Sequence, residues 1–316
     1  MGQVRKYLAI ARPDHWFKNV FMLLGAALAF DIDPKSISGN LVNSVLLAVV
    51  ATCITASANY VLNEILDAPT DRLHPVKKAR AAAAGAISLP LAWAEWVLLS
   101  LLGLGLAVLV NRAFLLSAAL LWVAGVCYNV PPIRTKDVVY LDVLSEALNN
   151  PIRLLLGWFA VLPNEMPPLS LIIGYWMLGA FFMATKRLAE YRQIGVDAAR
   201  RYRASFRHYD ETKLLLSIMF YITACAFFLG IFTVRFSIEL ILGSPLFVGF
   251  FVVYLRMGLR CDSPGQHPEK LYREPWLMGY LVVCLVVFVL LLFTRVPFLN
   301  ELFRITPNEA HPLWVF

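Results

Sequence analysis

Three carboxylates, one histidine and four basic side chains fall within the eighteen residues Asn63 to Arg80, N-E-I-L-D-A-P-T-D-R-L-H-P-V-K-K-A-R. Asn63, Glu64, Asp67 and Asp71 are hard oxygen donors. Mg²⁺ takes such donors, keeps several waters, and shares one or two carboxylates with substrate phosphates. Arg72, Lys77, Lys78 and Arg80 supply cations of the kind that grip phosphate. The stretch therefore reads as a metal and pyrophosphate site, with Asn63, Asp67 and Asp71 as its catalytic core. The alternative is a solvated basic loop with incidental acids. Asn63 and Asp67 speak against it, because they end an apolar run where polar groups without partners are costly.

A second set lies in a later apolar run: Asp142, Glu146, Asn149, Asn150 and Arg153, spaced so that most share one helix face. Asp142 and Glu146 suit a second metal half-site, and Asn149 and Arg153 suit substrate phosphate. The competing reading is an internal ion pair, Glu146 with Arg153 or Asp142 with an arginine, holding the helices together. Lys186, Arg187 and Glu190 close a further apolar run. Snorkelling to headgroups is their default, but they also offer cations to an anionic substrate. Lys18, Tyr128, Arg134 and Lys136 complete the expected substrate contacts. The block Arg200, Arg201, Arg203, Arg207 reads as an anchor for anionic lipid. The five histidines and five cysteines lack ligand spacing, so the cysteines read as apolar filler.

The elements that position these residues are membrane helices. The chain is 59% hydrophobic and 16% charged over 316 residues, and several runs approach the ~20 apolar residues that cross a bilayer. The class is all-α and polytopic. Met1 to Asn19 is basic and aromatic, an interfacial amphipathic segment without a cleavable leader's pattern. Nine spans follow between residues 20 and 296: about 20–30, 41–66, 89–110, 113–128, 140–162, 169–185, 214–234, 238–257 and 275–293. Pro69 predicts that the second helix stops near Asp67 or Ala68, leaving Asp71 in a loop. The segment 297–316, with Pro297, Pro307 and Pro312, reads as an irregular tail.

Charge orients the bundle. The N-terminal segment and the loops after spans two, four, six and eight carry 22 of the 28 Lys and Arg residues. The positive-inside rule makes that side cytoplasmic and puts the C-terminus outside. The net charge of +7 follows from this orientation and needs no nucleic-acid partner.

From Arg12 to Tyr191 the chain resembles the UbiA superfamily of membrane transferases, whose signature N-D-x-x-D-x-x-x-D reads here as Asn63, Glu64, Asp67, Asp71. It is most similar to the polyprenyl-phosphate phosphoribosyltransferase branch. The motifs are R-P-x-x-W-x-K-N (Arg12, Pro13, Trp16, Lys18, Asn19) and D-R-x-H-P-x-K (Asp71, Arg72, His74, Pro75, Lys77). L-D (Leu141, Asp142), I-R (Ile152, Arg153) and K-R-x-x-E (Lys186, Arg187, Glu190) add to them. The resemblance implies a nine-helix bundle around a lipid-open cavity, with metal-bound diphosphate at its cytoplasmic mouth. It also implies Mg²⁺ as cofactor, phosphoribosyl pyrophosphate as donor, a polyprenyl phosphate as acceptor, and a place in the bacterial inner membrane making cell-envelope glycolipid precursors. Two alternatives stay open. One is an aromatic prenyltransferase using a prenyl diphosphate for quinone or lipid biosynthesis. The other is a non-catalytic relative that only binds isoprenoid lipid, a reading favoured by Glu64 standing where the superfamily usually has Asp.

Overall fold

A computed structural model describes residues 2–32, 41–72, 76–260 and 274–303. His74, Pro75, Cys261, the end of the chain from residue 304, and the side chain of Arg200 lie outside the described residues. Every regular element among the described residues is helical.

The chain opens with α1 (Gln3–Ala11), a 3-10 segment (Pro13–Phe21) and α2 (Met22–Ile32). There follow α3 (Leu41–Asp71), α4 (Leu89–Val110), α5 (Arg112–Asn129), α6 (Leu141–Ala147), α7 (Asn149–Val161), α8 (Leu169–Ile194) and α9 (Val196–Tyr202). The last four are α10 (Glu211–Phe236), α11 (Ser244–Gly258) behind a 3-10 segment (Ile238–Gly243), α12 (Pro275–Leu292) and α13 (Pro297–Leu302). Among the described residues, seven helical segments are long and apolar enough to cross a membrane. The expected first and fifth spans are not single helices of that length. The first is the eleven-residue α2 with the 3-10 segment before it. The fifth divides into α6 and α7 at Leu148, where Pro151 has no N–H to offer the Ala147 carbonyl four residues back.

Three other expectations are corrected. α3 continues through Pro69 to Asp71. A proline three residues from a helix end orphans one carbonyl, and the ladder closes beyond it, with Arg72 N donating to Ala68 O at 3.4 Å. Asn63, Asp67 and Asp71 therefore share a helix, four residues apart. The tail does not start irregularly: α13 begins with Pro297 at its first position, where a missing N–H costs nothing, and buries Leu299. α8 also runs nine residues past the expected end at Thr185, so Lys186, Arg187 and Glu190 sit on helix.

Two apolar cores hold the bundle. One joins α2, α3, α5 and α7 through Met22, Ala51, Phe114, Leu121, Leu154 and Trp158. The other joins α8, α10 and α11 through Ala180, Phe181, Ile218 and Tyr254. Large side chains such as Leu98, Leu101 and Leu109 on α4 stay exposed, as a lipid-facing surface requires. Lipid supplies no hydrophobic drive between helices, so close packing by small residues must do that work. The tightest case is α2 on α7: a Cβ on Gly157 would stand 1.7 Å from the Met22 carbonyl oxygen, and one on Gly25 would stand 2.1 Å from that of Leu154.

Candidate active site

The ends of α3, α5, α6 and α8 and the loops after α3 and α5 meet at one end of a cavity of about 2780 Å³. Its polar end is built on Asp67. Lys136 Nζ donates to Asp67 Oδ1 at 2.5 Å and to Asn129 Oδ1 at 2.7 Å. Asn63 Nδ2 reaches Asp67 Oδ2 at 3.1 Å and Asn129 Oδ1 at 2.6 Å. Arg134 Nη2 lies 3.2 Å from Asp67 Oδ1, and its Nε bonds Asp137. Burial pushes the Lys136 ammonium down to about 8, and Asp67 pulls the other way.

Glu146, from α6, lines the same cavity. Arg187 Nη2 donates to its Oε2 at 2.5 Å, Tyr128 OH donates to the same oxygen at 3.1 Å, and Lys186 Nζ lies 4.0 Å from Oε1. Glu190 bonds Arg187 at 3.4 Å and faces Lys77 at 3.5 Å, which ties the loop after α3 to α8. Burial lowers the Lys77 ammonium, and Glu190 opposes the shift. Glu64 accepts from Arg12 Nη2 and from Ala82 N, each at 3.4 Å. Arg153 donates from Nε to Asn19 Oδ1 at 2.9 Å, so the ion pair considered between Glu146 and Arg153 does not form; Glu146 pairs with α8 instead.

Of the residues expected at the site, Lys18, Asn63, Glu64, Asp67, Lys77, Tyr128, Lys136, Glu146, Asn149, Arg153, Lys186, Arg187 and Glu190 line the cavity. Four do not. Asp71 is 2% exposed and locked to Arg80 at 2.6 Å. Arg72 turns its Nε to the Ala83 carbonyl. Arg134 stands behind Asp67. Asp142 is 0% exposed and receives Arg187 Nε at 3.2 Å, Ser205 Oγ at 3.1 Å and Tyr209 OH at 2.8 Å. Its oxygens are committed to protein donors, which matches the ion-pair reading of that residue. Arg203, expected among the lipid anchors, lies 3.8 Å from Asp142 and lines the cavity.

Arg12 and Asn19, which the sequence offers only as motif residues without a role, also belong to the site, as do Tyr60 and Asn129, which it does not single out. Asn129 was legible as a polar residue closing an apolar run beside Tyr128. The role of Asn19 depends on α2 docking against α7, which no local pattern announces.

Among the described residues, no three His, Cys, Asp or Glu side chains converge to cage an ion. The oxygens at the cavity, those of Asp67, Asn63 and Glu146, suit a hard cation that takes part of its shell from substrate phosphate. Beyond the polar end the wall turns apolar, with Phe182, Leu229, Phe247, Phe251, Leu281 and Phe288.

The chain is 30% identical over 184 residues to a decaprenyl-phosphate phosphoribosyltransferase of Corynebacterium glutamicum, covering 57% of this chain and 52% of that one. It is 27% identical over 212 residues to the enzyme of that name from Mycolicibacterium smegmatis, covering 64% and 62%. The chain thus matches between half and two thirds of those relatives' own length. In fold it is similar to a UbiA homologue from Archaeoglobus fulgidus bound to GPP and Mg²⁺, with a TM-score of 0.67 and 19% identity over 92% of this chain and all of that one. The acid-bearing end of α3, the helical bundle around an apolar cavity, and a match of residues 19–272 lead to one assignment: the chain belongs to the UbiA prenyltransferase family.

Proposed function

We propose that this integral membrane protein is a Mg²⁺-dependent transferase that moves a phosphoribosyl group from phosphoribosyl pyrophosphate to a polyprenyl phosphate. The observation that carries this reading is the charge of the cavity wall, where eleven Lys and Arg side chains stand against five carboxylates. A prenyl diphosphate brings one diphosphate. Phosphoribosyl pyrophosphate brings a diphosphate and a 5-phosphate, and the acceptor brings a third phosphate group, so a surplus of cations suits the second pair of substrates.

In the reaction the bond from ribose C1 to the pyrophosphate oxygen breaks, an acceptor phosphate oxygen bonds C1, and pyrophosphate leaves. The acceptor is already anionic and needs no strong base. Asp67 with Asn63 and Glu146 would hold Mg²⁺, which when bound neutralises charge on the leaving diphosphate. Lys136, Lys186 and Arg187 add fixed positive charge where the leaving group gains its negative charge. Lys77 and Arg80, on the loop after α3, would take the 5-phosphate. The apolar wall accommodates the isoprenoid tail. With the positive-inside pattern, this end faces the cytoplasm of a bacterial inner membrane, and α1, with Val4 and Leu8 exposed, rests at the membrane surface.

The test is transfer of label from phosphoribosyl pyrophosphate into lipid by purified protein given a polyprenyl phosphate, with EDTA and with restored Mg²⁺. Label in the lipid that disappears with EDTA and returns with Mg²⁺ is expected. Activity only with a prenyl diphosphate and an aromatic acceptor would move the protein to the prenyltransferase reading. Silence with both would leave lipid binding as its role.

A further inference from the structure

Arg153 differs from the cations gathered around Asp67 and Glu146. It is 9% exposed yet lines the cavity. Its Nε donates to Asn19 Oδ1 at 2.9 Å and its Nη1 to the Asn149 carbonyl at 3.4 Å. Both acceptors are neutral. Among the described residues no carboxylate pairs with it, and its Nη2 has no hydrogen-bond partner. The acids that could have served are held elsewhere: Glu146 by Arg187, Glu64 by Arg12, Asp67 by Lys136. Its sequence neighbours Ile152 and Leu154 are buried apolar residues. A guanidinium desolvated in this way is unfavourable unless an anion joins it, so the missing counter-charge must come with a ligand.

The surroundings say which anion. The cations around Asp67 and Glu146 stand among carboxylates, the pattern for a diphosphate that shares Mg²⁺ with the protein. Arg153 has no acid beside it and so suits a phosphate bound without metal. A guanidinium can engage such a phosphate with two parallel hydrogen bonds. Asn19 fixes Nε and leaves the outer edge of the fork toward the cavity. Leu24, Leu178 and Phe182 line the same cavity, so a phosphate at Arg153 can be continuous with an apolar tail.

We infer that Arg153, oriented by Asn19, is the binding site for the phosphate head of the lipid acceptor, separate from the metal-facing donor site at Asp67 and Glu146. The inference rests on the phosphoribosyl-transfer reading for the words donor and acceptor, but not for the binding it requires. Asn19 acts through Arg153 and is a positioning residue.

Two measurements test it on the full-length protein in detergent. Binding of a polyprenyl phosphate and of the matching polyprenol is compared by native mass spectrometry in wild type, Arg153→Lys, Arg153→Met and Asn19→Leu. Wild type should prefer the phosphate at least tenfold. Arg153→Met should lose that preference while binding the alcohol as before, Arg153→Lys should keep part of it, and Asn19→Leu should fall between. In turnover, Arg153→Lys should raise the acceptor KM at least tenfold and leave the donor KM within twofold. Equal binding of phosphate and alcohol by wild type, or phosphate binding untouched in Arg153→Met, would overturn the inference. So would a raised donor KM with an unchanged acceptor KM, which would put Arg153 in the donor site. If wild type transfers no phosphoribosyl group but binds lipid phosphate through Arg153, the donor reading fails and this inference stands.

Discussion

Replacing Gly157 by Ala tests how the fold reaches the site. The added methyl would lie 1.7 Å from the Met22 carbonyl oxygen, 2.6 Å from its carbonyl carbon and 3.0 Å from Ala26 N. All three atoms are backbone, so no side-chain rotation relieves the clash. Ordinary contact returns only if α2 retreats by roughly 1.5 Å. Overpacking of this kind costs about 1–3 kcal/mol, a fall of roughly 3–10 °C in Tm for a chain of this size. Asn19 lies one turn before α2, so the same retreat stretches its 2.9 Å bond to Arg153 toward 4 Å, where hydrogen bonding is lost. The assay is thermal unfolding in detergent together with the acceptor KM. Gly105→Ala on α4 is the control, because nothing lies within 4 Å of its added Cβ; it should hold or raise Tm, by up to about 1 kcal/mol of helix propensity. Gly25→Ala opposes Leu154 O at 2.1 Å, and one displacement relieves both clashes, so the double variant should lose less than the sum of the singles. If Gly157→Ala matches Gly105→Ala in Tm and in acceptor KM, the link from the α2–α7 contact to Arg153 is refuted.

The remaining predictions concern the acids, which the structure divides into those that line the cavity and those buried in ion pairs behind it. Asp67→Asn should lower turnover at least about a hundredfold with the protein still monodisperse in detergent; turnover within a few-fold of wild type would remove Asp67 from the reaction. Asp71→Asn should act on stability, because it leaves Arg80 without the carboxylate 2.6 Å away. Losing one partner of a buried pair costs about 3–5 kcal/mol, and Arg80 is partly solvated, so the lower end is expected; kcat of the folded fraction should stay within about threefold, and a kcat collapse at unchanged Tm would return Asp71 to the catalytic set. Asp142→Asn should loosen the connection between α8 and α10, which Ser205 and Tyr209 pin to that carboxylate. Limited proteolysis between residues 195 and 210 should speed up, and an unchanged rate would show that the connection is held by other contacts.

Most of the fold was legible because a membrane helix is written as a continuous apolar run: α4 was bounded by its composition at Leu89 and Val110, as found. Boundaries failed where polar residues lie on helix. Lys186, Arg187 and Glu190 look like the start of a loop, yet α8 carries them past Thr185, and Pro69 did not end α3. The site divided along a similar line. Residue type and spacing single out Asn63, Asp67 and Glu146, and all three line the cavity wall. Spacing could not separate Asp67 from Asp71, or Glu146 from Asp142, since members of each pair are four residues apart on one helix. All four meet a cation from another element, so what separates them is access to the cavity: Asp67 and Glu146 keep 18% and 27% of the side chain exposed, while Asp71 behind Arg80 and Asp142 behind the α8–α10 connection keep 2% and 0%.

That division also bears on the choice of substrate. The Asn63 and Asp67 face would serve any diphosphate that arrives with a metal, so it cannot distinguish a prenyl donor from a phosphoribosyl one. The cations on α8 carry more information. Arg187 is clamped by Asp142, Glu146 and Glu190, and three carboxylates on one guanidinium leave it well fixed but locally overcompensated. Lys186, Lys77 and Arg203 restore the balance around those acids. A network of this kind holds positive charge in place before substrate arrives, and preorganised charge is most useful where charge develops during reaction. Arg153 is the reverse case, an uncompensated cation whose free energy improves only when an anion binds. A polar end with one compensated, metal-ready region and one uncompensated cation fits two phosphate-bearing substrates that must lie side by side. A neutral aromatic acceptor would leave Arg153 buried without a counter-charge in the very complex that reacts.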